Sequence, residues 1–169
     1  MPLSMFDSSV PIFVKTLSNL KAILEKGAAH AKAKKIEDMV LLSARLYPDM
    51  FPLASQVQIA TDQARGGAAR LAGGEPPSYE DDEKTFAELI ARVDRTIEFL
   101  KTLKPDQFEG AETRSITRPL RGQPHTYTGT HYLQQLILPN LYFHTTTAYG
   151  ILRHNGVELG KMDFLGALD

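Results

Sequence analysis

The sequence contains no cysteine among its 169 residues. This absence excludes disulfide bridges, zinc sites built on thiolates and a cysteine nucleophile. An excess of charge of one sign is also lacking, since 19 basic and 20 acidic residues leave a formal net charge of -1. The chain therefore shows neither a nucleic-acid footprint nor an acidic tail. It has no basic and apolar signal segment and no apolar run long enough to span a bilayer, so we expect a cytoplasmic protein without a membrane or nucleic-acid partner.

Helical periodicity dominates the sequence, in which 43% of residues are hydrophobic. In the first segment six apolar residues recur at alternating spacings of four and three, which places them on one stripe of a helix. These residues are Phe6, Val10, Phe13, Leu17, Leu20 and Leu24. Such a stripe is typical of helices that cross at shallow angles in bundles. We expect this helix to end between Gly27 and Lys35, and residues 1–169 to form a single domain.

Two further helices are predicted in the middle of the chain. One spans residues 52–71 and is ended by the paired glycines and prolines that follow it. The other carries apolar residues at helical spacing over 86–103 and stops at Pro105. Its start is expected just after Ser78, because the acidic residues 80–83 would complement the positive end of the helix dipole.

The last third of the chain combines an extended stretch with a final helix. Residues 106–129 alternate polar and apolar types around Gly122-Gln123-Pro124, which predicts a short β-hairpin or an ordered loop that leans on the bundle. The final helix is expected from about His131 to Asn155. Pro139 either kinks this helix or marks a new start after an extended piece, and we favour the kink. The apolar tail that follows is expected to dock back on the bundle.

His144 is the first candidate for a functional side chain, because it occupies a core position of the final helix. It belongs to the stripe formed by Ile137, Leu141, His144, Ala148 and Ile151. One interpretation is a core histidine that is hydrogen-bonded to a neighbour. The other is a metal ligand or general base inside the bundle, where such sites are commonly built. No helix carries a His-x-x-x-His or Glu-x-x-His pair, so the indication of a metal is weak.

A second set of candidates lies on or near the predicted second helix. Asp49 precedes it, and Gln56 and Asp62 flank its apolar stripe. They are interpreted either as a helix cap and two solvent-exposed side chains, or as residues that face His144 across the bundle. An aspartate in that position would raise the pKa of the histidine and orient its ring.

Tyr149 and Arg153 lie one turn apart on the final helix and complete the set of pocket candidates. The arginine could hold a carboxylate or phosphate through two hydrogen bonds, or it could complement the negative end of the helix dipole. The sequence contains no nucleophile motif and no phosphate-binding loop.

A family resemblance is carried by two stretches, RLYPDMFPLASQVQIATD and PNLYFHTTTAYGILRHNGVELGKMDFLG. They resemble a bacterial and fungal family catalogued as the domain of unknown function number nineteen ninety-three, and the resemblance covers essentially the whole chain. That family is placed in the DinB-like superfamily. The resemblance implies an all-α, up-down-down-up four-helix bundle with a long connection between the second and third helices, and a homodimer. Lys161 and Asp163, which belong to the second stretch, are expected to pair with charged groups on the bundle and hold the tail.

The resemblance also bears on metal binding. Many members of the superfamily bind a divalent metal through three histidines, one on the second helix and an H-x-x-x-H pair on the fourth, and some are thiol-dependent transferases, isomerases or hydrolases. Here His144 stands near the first histidine of that pair, whereas Ala148 occupies the second position and residues 52–71 contain no histidine. A zinc, nickel or manganese ion on His144 would therefore need substitute ligands. The candidates are Asp49, Asp62, His125 and His131.

Two functions of different classes fit these observations. The first is a non-catalytic or ligand-binding bundle with a polar pocket around His144 that takes a small molecule. The second is a degenerate metal-dependent transferase or hydrolase, which predicts that His144 lies within about 5 Å of a carboxylate from the region 49–62, close enough for direct or water-bridged ligation. We favour the first function because the set of metal ligands is incomplete. Whether the protein is an enzyme, and which substrate or ligand it takes, are not determined by the sequence.

Overall fold

The computed structural model describes residues 4–120 and 122–167. In chain order the helices are α1 (Val10–Lys34), α2 (Asp38–Leu42), α3 (Leu53–Leu71), α4 (Phe86–Thr102), α5 (Gly129–His131), α6 (Leu138–His154) and α7 (Lys161–Leu165). A 3₁₀ turn (Pro105–Phe108) follows α4, and strands β1 (Ser115–Leu120) and β2 (Gln123–Thr128) precede α5. A π-helical segment (Tyr132–Ile137) joins α5 to α6 in one continuous helix. No helix in the described part of the chain is long and apolar enough to cross a membrane.

The four long helices form an up-down-down-up bundle, as predicted. Gly27, late in α1, faces Phe86 at the start of α4 and Leu152 near the end of α6, so α1 runs antiparallel to α4 and parallel to α6. Gly67, late in α3, faces Ile137 just before α6, so these two helices are antiparallel. It follows that α3 and α4 are parallel, and the long connection between them is the crossover that this arrangement requires.

The stripe predicted on α1 forms part of the core. Phe6 packs against the core half-buried, and the other five residues of the stripe are buried. Burial of such side chains contributes roughly 1.5–3 kcal/mol each relative to full exposure. The helix runs through to Lys34 and ends at Lys35, whose φ of 55° is left-handed. The expected end of α1 is thus confirmed at the far limit of the predicted range.

The start of α4 differs from the prediction. The Thr85 hydroxyl accepts a hydrogen bond from the Glu88 N–H, and the Glu88 carboxylate accepts one from the Thr85 N–H. This reciprocal capping box starts the helix at Phe86. The prediction of a start after Ser78 was wrong, because residues 80–83 are irregular and their acidic groups serve a tertiary contact described below.

The hairpin and the continuous final helix are confirmed. Strands β1 and β2 pair antiparallel, with Ser115 opposite Thr128. The final helix passes through Pro139 without a break. Proline lacks the N–H that an α-helical turn needs, and the wider turn just before it accommodates that loss. The side chain of Asn140 donates to the carbonyl of Leu136 at 2.7 Å and supplies a further hydrogen bond to this segment.

The tail docks on α1, as expected. Asp163 on α7 forms an ion pair with Lys26 at 2.7 Å and also accepts a hydrogen bond from the Gly160 N–H. Asn19 donates to the carbonyl of Phe164 at 2.9 Å. Asp163 therefore holds the tail as predicted, whereas Lys161 is exposed and forms no ion pair with a described residue.

Candidate functional site around His144

The structure brings His144 on α6 against Gln56 on α3. His144 is 8% exposed, and its Nδ1 lies 2.7 Å from Oε1 of Gln56. The amide nitrogen of Gln56 donates to the carbonyl of Phe51 at 2.9 Å, which fixes the orientation of the amide. Because the amide oxygen that faces the ring can only accept, Nδ1 must carry the proton and donate it. The hydrogen bond therefore places a proton on Nδ1 and, in the neutral ring, fixes one tautomer.

This tautomer leaves the lone pair of Nε2 available. No residue among 4–120 and 122–167 forms a hydrogen bond with it. In the same part of the chain, the side-chain polar atoms that are sealed from solvent without a partner are Gln63 Oε1 and Nε and Nη1 of Arg65. Nε2 is not among them, so this atom is not sealed from solvent. The ring of Phe143, which is 57% exposed, stands edge-on to the imidazole with centroids 5.1 Å apart.

Burial lowers the pKa of His144 below its ordinary value of 6.5. The uncharged amide of Gln56 does not offset this effect as a carboxylate would. The ring is therefore neutral at neutral pH and acts as a hydrogen-bond acceptor through Nε2.

Replacing His144 by glutamine is expected to flatten the dependence of stability on pH. Since the pKa of His144 is lower in the folded state, the unfolded chain binds a proton first as the pH falls. The wild-type protein therefore loses stability as the pH falls from about 6.5 toward the pKa of the folded state. One such group changes the free energy of unfolding by at most about 1.4 kcal/mol per pH unit. Urea midpoints at about pH 7.5 and about pH 5.5 measure the change. His154→Gln, at an exposed position of α6, is the matched control, and an equal flattening in both variants would contradict the assignment.

The two candidate aspartates lie away from the ring. Asp62 accepts from Arg65 at 2.7 Å and from Arg92 at 2.8 Å, in a charged cluster between α3 and α4. Asp49 is exposed in the loop before α3, and Pro52 rather than Asp49 occupies the cap position of that helix. Of the three polar residues expected near His144 from this region, Gln56 alone contacts it.

Contrary to the prediction, Tyr149 and Arg153 are not part of the site around His144. Tyr149 is half-buried and lines a cleft of about 230 Å³ together with Thr146, Lys161 and Phe164. Arg153 is exposed in the last turn of α6. Other clefts in the described part of the chain measure about 210, 270 and 510 Å³, and His144 lines none of these four. None of these four clefts is therefore the polar pocket around His144 that the sequence suggested.

Exposed large apolar side chains lie on α6 beside His144 and in the loop before α3. We define the apolar surface as Leu46, Tyr47, Phe51, Tyr142 and Phe143, which are 44%, 65%, 60%, 41% and 57% exposed. Leu46 lies over Gly150 of α6, at 3.8 Å from the position a Cβ would take there, so the loop before α3 covers this part of α6. These five residues were not predicted from the sequence as a group. They could have been recognised as large apolar residues that do not belong to the periodic core stripes of the helices.

The residues near His144 do not fit a resident divalent metal. In the described residues no group of three or more histidine, aspartate or glutamate side chains is arranged to hold an ion. Gln56 faces His144 from α3, and Ala148, one turn further along α6, has no donor atom. Of the substitute ligands, His125 instead packs against Tyr127, with ring centroids 4.5 Å apart and ring planes tilted by 58°. The zinc, nickel or manganese site suggested by the resemblance therefore lacks a ligand set here.

Comparison with known families places the chain. Residues 5–165 match the family model described as "Domain of unknown function (DUF1993)". The chain belongs to this family. The structure is also similar to the crystal structure of a DinB family member protein from Shewanella denitrificans, with a TM-score of 0.91 and 46% sequence identity over 97% of this chain and 93% of that one. No curated protein matches the chain. The resemblance to DUF1993 and to DinB-like bundles is thus confirmed.

Proposed function

We propose that this DUF1993 domain binds a small molecule, without catalysis, at the surface around His144. The observation that carries the proposal is the fixed tautomer, in which Gln56 holds Nδ1–H and leaves the Nε2 lone pair accessible. An oriented acceptor beside exposed aromatic rings suits a ligand that has an apolar ring and an O–H or N–H donor. The site therefore recognises an amphipathic aromatic or heteroaromatic compound.

The surroundings of the ring support binding rather than acid–base chemistry. A histidine whose pKa is lowered by burial, and whose partner is an uncharged amide, lacks the carboxylate that stabilises the imidazolium in a Ser-His-Asp triad. The neighbouring hydroxyls of Thr145 and Thr147 donate to carbonyls of their own helix at 2.8 and 2.7 Å. These two hydroxyls are therefore engaged and do not serve as nucleophiles beside the ring.

Side-chain ¹⁵N NMR of the histidines tests the proposal with phenol and toluene as a matched pair of probes. Phenol is expected to shift the Nε2 resonance of His144 in a saturable manner, because its O–H donates to the lone pair. Toluene, which has the same shape and no donor, is expected to leave that resonance in place. Equal responses to both probes, or a spectrum in which Nε2 carries the proton, would contradict the proposed recognition.

A metal measurement separates this proposal from metal-dependent transfer or hydrolysis. Plasma mass spectrometry of untagged wild-type protein and of His144→Ala, after incubation with zinc, nickel and manganese, reports the bound metal per chain. One tightly held ion that is lost in the variant would overturn the non-catalytic proposal. Equal, substoichiometric metal in both proteins supports it.

We also propose that the domain forms a homodimer through the apolar surface. Exposed large apolar side chains are typical of an interaction site, and in a twofold dimer the same surface of both copies meets. Phe143→Asp is expected to convert a dimer to a monomer at micromolar concentration in analytical ultracentrifugation. Met162→Asp, at a residue of α7 that is also 57% exposed, is the control that should remain dimeric. A monomeric wild-type protein would refute the dimer.

A further inference from the structure

A separate polar cleft lies between the last turn of α3 and strand β1. It encloses about 210 Å³ and is lined by two arginines, Arg70 and Arg114, together with small and polar residues. Arg70 lies almost four helical turns, roughly 20 Å, beyond Gln56 along α3. This cleft is therefore distinct from the surface around His144.

Two glycines make room for the guanidinium groups. A Cβ at Gly66 would lie 2.6 Å from Nη1 of Arg70, and a Cβ at Gly73 would lie 3.4 Å from Cζ of Arg114. Gly73 has a φ of 81°, a left-handed conformation that suits glycine after the end of a helix. Both arginines can therefore lie directly against the backbone.

The positive charge of the cleft is not neutralised within the described part of the chain. Arg114 donates to the carbonyls of Leu71, Gln107 and Glu109, which fix its plane without cancelling its charge. Arg70 donates through Nη1 to the Gly66 carbonyl and to the Tyr132 hydroxyl, so its Nε and Nη2 have no described acceptor. Neither arginine forms an ion pair with a described residue, unlike the buried Arg65 and Arg92.

The surrounding sequence reinforces this charge. Residues 113–157 contain no aspartate or glutamate, although they include Arg114 and Arg118 on the hairpin side of the cleft. Glu75 is the single acidic residue in the lining, and it is exposed. Two like charges that share one cleft repel each other, and an anion between them relieves that repulsion.

We propose that this cleft binds an anion, with Arg70 and Arg114 holding a carboxylate or phosphate group. The guanidinium group presents paired N–H donors that match both of these groups. The cleft volume of about 210 Å³ is several times the ~30 Å³ share of a water molecule in the liquid, so a tetrahedral or planar anion fits. The hydroxyl of Ser115, which also lines the cleft, supplies a further donor.

The test is a titration of the intact protein with inorganic phosphate at constant ionic strength, followed through the arginine Nε–H signals in ¹⁵N NMR. Saturable shifts are expected for Arg70 and Arg114 and not for Arg153, which is exposed on α6. Arg70→Gln should weaken phosphate binding at least about tenfold, since it removes a charged hydrogen-bonding partner. Glu75→Gln should tighten it severalfold, because it removes the acidic residue from the lining.

A parallel titration with acetate decides between the two anion classes, since the tighter probe identifies the group that the cleft prefers. Arg114 also holds the end of α3, so the Arg70 and Glu75 variants carry the test if Arg114→Gln does not fold. Shifts that do not saturate, that are as large at Arg153, or that survive unchanged in Arg70→Gln would overturn the proposal in favour of general ionic screening.

Discussion

Replacement of Gly129 by alanine is expected to destabilise the protein by roughly 3 kcal/mol or more. Gly129 is buried at the start of the final helix, where a Cβ would overlap the carbonyl oxygen of Ala111 and lie 2.9 Å from its carbon. The obstacle is backbone, so no change of rotamer removes it. A side-chain carbon of Leu71 lies 3.4 Å away from the same position and restricts movement. The final helix would have to separate from the turn that contains Ala111.

Gly160→Ala is the matched control for that variant. Nothing lies within 4 Å of its Cβ position, and its φ of -134° is open to any residue. We expect a change within about 1 kcal/mol of zero, because alanine reduces the freedom of the unfolded chain but is a poorer N-cap of α7 than glycine. Urea denaturation of the two variants and the wild type measures the contrast, and similar midpoints for both variants would show that the close approach at Gly129 is not rigid.

Arg92→Ala is expected to lower the free energy of unfolding by about 3–5 kcal/mol, the usual effect of removing one partner from a buried ionic network. The side chain of Arg92 is 1% exposed and forms ion pairs with Asp62, Asp81 and Glu83 at 2.8, 2.9 and 3.0 Å. Its Nε also donates to the hydroxyl of Thr61 at 2.8 Å. Truncation leaves the carboxylate of Glu83, which is 7% exposed, without its cation. A fall in Tm of roughly 10 °C follows for a domain of this size.

The effect should be concentrated in the crossover between α3 and α4. Arg92 donates to the carbonyl of Glu80 at 2.8 Å. The ring of Tyr79 is contacted by Arg65 and Arg95, whose Cζ atoms each lie 3.7 Å from the ring centroid. Hydrogen exchange is therefore expected to rise first over residues 75–84. The control is Lys21→Ala, which removes the ion pair of Lys21 with Asp94, whose side chains are 33% and 47% exposed. This change should lower the free energy of unfolding by at most about 1 kcal/mol. A loss in Arg92→Ala no larger than in this control would contradict the role of the network.

The same network predicts an acid-sensitive contribution to stability. Burial alone raises the pKa of Glu83, but hydrogen bonds from Gln58 and Arg92 outweigh it and hold the pKa below its ordinary value of 4.5. The stability supplied by this carboxylate is therefore present above about pH 4.5 and is lost as the pH falls through the lower, folded pKa. The acid dependence of Arg92→Ala should be correspondingly shallower.

The fold was predictable from the sequence where a local pattern decides it. The apolar stripe of α1 and the alternation around Gly122 each specify an element without reference to distant residues. The start of α4 was not predictable, because residues 80–83 satisfy the rule for a first helical turn and only the distant Arg92 draws two of their carboxylates elsewhere. The spacing of the apolar residues does not predict the π-helical segment, and Pro139 alone indicates an irregularity in that part of the sequence.

The site was predictable only in part. Periodicity places His144 on the inward stripe of α6 and Gln56 beside the apolar stripe of α3, and both were candidates for that reason. It does not fix how far one helix is shifted along the other, so the choice of Gln56 over Asp62 as the partner had to come from the structure. The arginine cleft depends on the meeting of α3 with β1, which no spacing in the sequence encodes.

The π-helical segment before Pro139 has a consequence for comparing relatives of this chain. Such a segment holds one residue more than regular α-helical winding uses, so the loss of one residue between 132 and 137 can be absorbed by a return to regular winding. Because α6 is anchored by its packing against α3, α5 and the hairpin would keep their orientation relative to it, and Arg114 would stay in the cleft. The same loss within α6 has no extra residue to absorb it and would turn everything before it by about 100°. The length of this segment can therefore vary by one residue among homologues that keep the two-arginine arrangement.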